Sequence, residues 1–81
     1  MLQLENIRRE ENCIIADYCY EDSSDKGILV YYIDRGEACY VARNMEDAEY
    51  ESDCAIGKAR VIFPRLLKRK SLPERYVYMW Y

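Results

Sequence analysis

The residues best suited to chemistry are four cysteines, Cys13, Cys19, Cys39 and Cys54, in a chain of 81 residues without a single histidine. A thiolate binds zinc or attacks a carbonyl carbon when a ligand set or an imidazole partner stabilises its charge. No two of these cysteines stand as C-x-x-C, and no thiolate–imidazolium pair is available. We therefore expect reduced thiols packed as small hydrophobes, and no bound metal. A disulfide framework needs a secretory context. The chain starts at Met1 with no apolar leader and has no apolar run of the ~20 residues that a membrane helix needs, so a cytoplasmic, membrane-free protein is expected.

Other short patterns fail on their ligands. Asp22, Ser24 and Gly27 occupy the first, third and sixth places of a calcium loop, but Lys26 and Ile33 fall at the fifth and twelfth. An ammonium or a hydrocarbon side chain cannot ligate a cation. Gly57-Lys58 resembles a fragment of a phosphate loop, without the preceding glycine or the following Ser or Thr. Asp17, set among apolar residues, is a candidate for acid–base work, though an edge position or an arginine partner accounts for it more simply. No catalytic or cofactor-binding residue is expected, and the chain reads as a protein that is not an enzyme.

A further candidate is basic. Lys58, Arg65, Lys68 and Arg69, with Arg60 and Lys70 nearby, cluster in the second half of the chain. Phosphate contacts require such a cluster, and sheet aromatics can stack bases. Residues 1–53 carry fourteen acids and five bases, while residues 54–81 carry one acid and seven bases, for a net charge of −3. The acidic balance weighs against nucleic acid, and a solvated helix face explains the bases equally well.

These residues must be positioned by secondary structure. In the stretch 53–70, Ala55, Ile56, Ala59, Ile62, Phe63, Leu66 and Leu67 recur every three or four positions. At about 100° per residue they share one arc of about 140°, the pattern of a helix with one buried stripe. Ser52 or Asp53 can cap it. Pro64 removes a backbone donor, but lies on the wet side with Gly57, so we expect one kinked helix, the rival being two helices broken at Phe63.

The other apolar runs read as strands: 2–9 weakly, then 13–20, 28–33, 37–42 and 76–81. Asp34-Arg35-Gly36 suits a three-residue hairpin loop with Gly36 in the left-handed region, which pairs Ile33 with Glu37. Residues 43–51 are acidic and irregular, and read as a connection. The whole is one small α+β domain, residues 1–81, of order ββββαβ: an antiparallel sheet of four to five strands with one helix across one face.

One helix covers one face. Ile14, Ala16, Tyr18, Leu29, Tyr31, Ile33, Cys39, Val41, Val77 and Met79 are expected to meet it. That leaves Ile15, Asp17, Cys19, Ile28, Val30, Tyr32, Ala38, Tyr40, Tyr78 and Trp80 outside, far more apolar than a wetted sheet face. The expectation is a small interaction module that joins a second copy, as a homodimer, or another protein. Val30, Tyr32, Tyr40, Tyr78 and Trp80 would be its anchors, since Tyr and Trp bury large areas with few rotatable bonds. The alternative is nucleic-acid binding through Lys58, Arg65, Lys68 and Arg69.

Overall fold

The computed structural model describes residues 1–21 and 23–79. Five strands, β1 (Leu2–Glu10), β2 (Cys13–Tyr20), β3 (Gly27–Tyr32), β4 (Glu37–Ala42) and β5 (Tyr76–Tyr78), form one antiparallel sheet of order β4-β3-β2-β1-β5. Two helices, α1 (Met45–Tyr50) and α2 (Cys54–Leu67), lie between β4 and β5. The domain is α+β, as its patterning implies. The short α1 is an addition: residues 43–51 are not an irregular connection throughout.

The apolar stripe of α2 meets the sheet. Ala55, Ala59, Ile62, Phe63 and Leu66 are buried, and Ile56 and Leu67 pack at the margin. Opposite them lie Leu2, Leu4, Ile7, Ile14, Ala16, Tyr18, Leu29, Tyr31 and Ala38. The Phe63 ring stacks on Tyr31 with centroids 5.5 Å apart. The helix runs through Pro64 as one element. Its half-buried ring sits toward the wet side, where losing a backbone bond to the preceding turn costs least. At the N-terminus the Ser52 hydroxyl accepts from the Cys54 N–H at 3.2 Å, while Asp53 turns to Arg43 at 3.0 Å.

Strand β1 alternates irregularly because it is bulged. Its pairing with β2 shifts between Glu5 and Arg8, and Asn6 takes φ 51°. Asparagine tolerates the left-handed region better than most residues. The extra residue returns Ile7 to the core, where strict alternation would have turned it outward.

Two strands face the other way from the sequence expectation. The β3–β4 loop has four residues, 33–36, and Tyr32, not Ile33, pairs with Glu37. Gly36 does take the left-handed conformation, φ 66°, and its N–H donates to the Tyr32 carbonyl at 2.8 Å. Ile33 is held out of the pairing because its N–H donates to the Asn12 carbonyl at 2.9 Å. A slip of one residue exchanges the faces of a strand. Ala38 and Tyr40 therefore pack on the helix side, and Cys39 and Val41 are exposed. In β5, Tyr78 pairs with Leu2 and Tyr76 with Leu4, both core residues of β1, so both tyrosines face the helix. Val77 and Met79 are exposed instead.

Candidate functional site

The uncovered sheet face is built from alternate residues of β1 to β4. Ile15, Val30 and Cys39 form one row across three strands, and Cys13, Tyr32 and Glu37 form the next. Asp17 and Ile28 stand opposite each other beyond them. Even without a covering layer Val30 is only 7 % exposed, because its strand neighbours crowd it. The Arg35 guanidinium lies 4.4 Å from the centre of the Tyr32 ring. Toward β1 the face becomes charged. Lys26 reaches Glu5 at 2.8 Å, and Arg75 reaches the other Glu5 oxygen at 3.4 Å. The bond from Lys26 holds the Glu5 carboxyl below its ordinary range.

Of the five expected anchors, Val30 and Tyr32 lie on this face. Tyr40 and Tyr78 lie on the opposite one, through the register and pairing described above. Trp80 lies outside the described residues.

A second constellation escaped the sequence reading. Asp47, buried on α1, accepts from the Tyr18 hydroxyl at 2.7 Å and from the Tyr20 hydroxyl at 2.9 Å. The Tyr18 oxygen in turn accepts from the Asn44 N–H at 3.0 Å, and Asn44 caps α1 by accepting from the Asp47 N–H at 2.8 Å. Asp25 completes that helix end, its two carboxylate oxygens accepting from the Met45 and Glu46 N–H groups. Tyr40 donates to the Ser52 carbonyl at 3.0 Å. Burial, reinforced by the Asp47 carboxylate, pushes the Tyr18 and Tyr20 phenols far above the usual value and that of Tyr40 up to about 12. Phenols so shifted stay protonated near neutral pH and act as donors, not bases. The cluster fastens α1 over one end of the sheet. The signal for it in the sequence is Asn44, an N-cap residue type, followed by Glu46 and Asp47 in a first turn.

The basic residues are divided. Lys58 lies near the start of α2, its ammonium 6.0 Å from the Tyr78 ring centre. Arg65 and Lys68 are exposed. Arg69, just past the helix, stands 5.6 Å from the ring centre of Tyr76. There a groove of about 340 Å³ opens between α2 and β1, with Arg9 on one wall and Arg69, Lys70 and Ser71 on the other; Arg8 borders it along the strand, but its pairing with Ile15 turns its side chain toward the bare sheet face. Arg9 escapes a reading of the basic cluster from sequence, because the chain separates it from residues 58–70.

The four cysteines are unpaired, and no group of three or more metal-ligating side chains converges among the described residues. No described helix is long and apolar enough to cross a membrane. Compared with family models, with curated proteins and with solved structures, the chain matches none.

Proposed function

We propose that the protein is a small non-catalytic interaction module of the cytoplasm that pairs with a second copy through the uncovered sheet face. The observation that carries this reading is the apolar patch of Ile15, Ile28, Val30, Tyr32 and Cys39, across β2 to β4, with no layer over it among the described residues. Contiguous apolar patches on a protein surface tend to mark partner sites, and two-fold dimers are the commonest oligomers. The anchors are now Ile28 and Tyr32, with Val30 between them.

Light scattering over a range of concentrations tests it. The wild type is expected at twice the mass of one chain. Ile28→Lys with Tyr32→Glu should halve that mass while circular dichroism stays native. Tyr78→Glu, on the helix side, should lower the melting temperature without this selective dissociation. A wild type of single-chain mass at high concentration sinks the reading.

A second reading, nucleic-acid binding through the bases of α2, is favoured by one observation: β1 sets Arg9 across a groove from Arg69 and Lys70. Salt separates the two, since burial of an apolar face is weakly salt-sensitive and phosphate binding is strongly so.

A further inference from the structure

We propose that the groove between the end of α2 and the second half of β1 holds the phosphate backbone of single-stranded nucleic acid, an inference that rests on the second reading above and gives it a site. Arg9 lines one side, and Arg69, Lys70 and Ser71 the other, of a concavity of about 340 Å³, while Arg8, paired with Ile15, turns toward the bare sheet face. Among the described residues, none of these three groove cations pairs with a carboxylate; the ion pairs use Lys26, Arg43 and Arg75 instead. Lys68 and Arg65, both exposed and likewise without a carboxylate partner among the described residues, extend the positive surface onto α2.

Much of the chain's acidic balance lies away from the groove, while Glu10 and Glu11, which follow Arg9, and Glu74, whose carbonyl accepts from the Ile7 N–H, stand near it. Glu46, Asp47, Glu49, Glu51 and Asp53 gather on and beside α1, which precedes the opposite end of α2. A phosphate strand approaching the groove meets the basic end of a bipolar molecule, and the acidic end steers it there.

The chemistry of the walls selects a polymer over a small phosphorylated molecule. The cations Arg9, Arg69 and Lys70 are exposed, and none is fixed inside the groove as a buried donor. The last carbonyls of α2 also point toward this end, which disfavours one tightly held phosphate. Exposed cations along an open channel suit a chain of phosphates, each neutralised loosely, with affinity arising from counterion release. Its floor is apolar, from Ile7, Leu66, Leu67 and Leu72, a surface that unpaired bases can lie against and the paired, stacked bases of a duplex cannot.

The test measures anisotropy of a fluorescent oligothymidylate titrated with the full chain. Binding is expected to weaken roughly 50-fold between about 50 and 200 mM salt if about four phosphates are engaged. Arg9→Glu with Lys70→Glu, both exposed positions, should cost more than tenfold in affinity with the circular dichroism and the mass in solution unchanged. Arg60→Glu with Arg65→Glu, on α2 outside the groove, should cost less. Loss with the second pair but not the first would refute the groove and leave nucleic-acid binding standing. No binding at low salt would remove both. Equal affinity for a duplex of the same length, or displacement of the oligonucleotide by millimolar inorganic phosphate, would overturn the single-strand assignment.

Discussion

Removing the Asp47 carboxylate strands two phenols. Tyr18 is fully buried, and its hydroxyl has no other acceptor among the described bonds. A buried donor left without a partner costs about 1–3 kcal/mol. Asp47→Ala should therefore lower the urea midpoint by an amount corresponding to about 2–4 kcal/mol, with Tyr20 adding to Tyr18. Asp47→Asn, which keeps one acceptor oxygen, should lose less. Alkali probes the same residues. The folded state holds protons on Tyr18, Tyr20 and Tyr40 that the unfolded chain releases near pH ~10. Their contribution to stability is therefore complete below that pH and is lost as pH rises through the folded values. In a phenolate absorbance titration, Tyr18, Tyr20 and Tyr40 should lag behind a free-tyrosine standard, and their ionisation should coincide with unfolding. Superimposed titration of all nine tyrosines would show that the cluster does not form in solution.

At the scale of elements, α2 holds the fold through one face. Leu66 is 1 % exposed, so Leu66→Ala should destabilise by ~2–5 kcal/mol, a large share of what a small domain has. A melting temperature unmoved by that change would place the stripe elsewhere. The two non-turn glycines should respond in opposite senses. Gly57 lies inside α2 with open space where a Cβ would go, so Gly57→Ala should raise stability by about 0.5–1 kcal/mol through helix propensity. Gly27 begins β3 where the chain passes against Tyr18. A Cβ there would strike that ring and come within 2.6 Å of the Ala42 carbonyl and the Asn44 nitrogen. Gly27→Ala should destabilise, and its thermal unfolding measured beside Gly57→Ala gives a direct comparison of sign.

The whole molecule offers two surfaces that do not overlap: the bare sheet face, and the basic groove at the end of α2 on its helix side. A dimer through the first leaves the second open, so self-association and phosphate binding can be measured independently. The thiols report on the same architecture. Thiol counting in denaturant should find four free groups. In the native protein Cys39 and Cys54 should react first and buried Cys19 last. If the sheet face is a dimer contact, Cys39 should become protected as concentration rises, while Cys54 at the start of α2 should not. Equal protection of both would point to a different contact surface.

Periodicity alone settled the nature of most elements. The spacing of Ala55, Ala59, Ile62, Phe63 and Leu66 marks both the helix and its buried face, since one helix on one sheet has one neighbour to satisfy. The bounds of β2 and β4 are also those of the apolar runs 13–20 and 37–42. The short α1 was legible in principle from its capping residue, but its acidic composition resembles a linker. Which way β4 and β5 face was decided only by tertiary structure. A strand with apolar residues at both parities carries no label for its inner side, and one residue in the β3–β4 loop, or the pairing of Tyr78 with Leu2, reverses it. The Asp47 cluster and the basic groove were hidden for the same underlying reason. Tyr18 and Asp47, or Arg9 and Lys70, are far apart along the chain, and only the packing of α1 and α2 against the sheet brings them together.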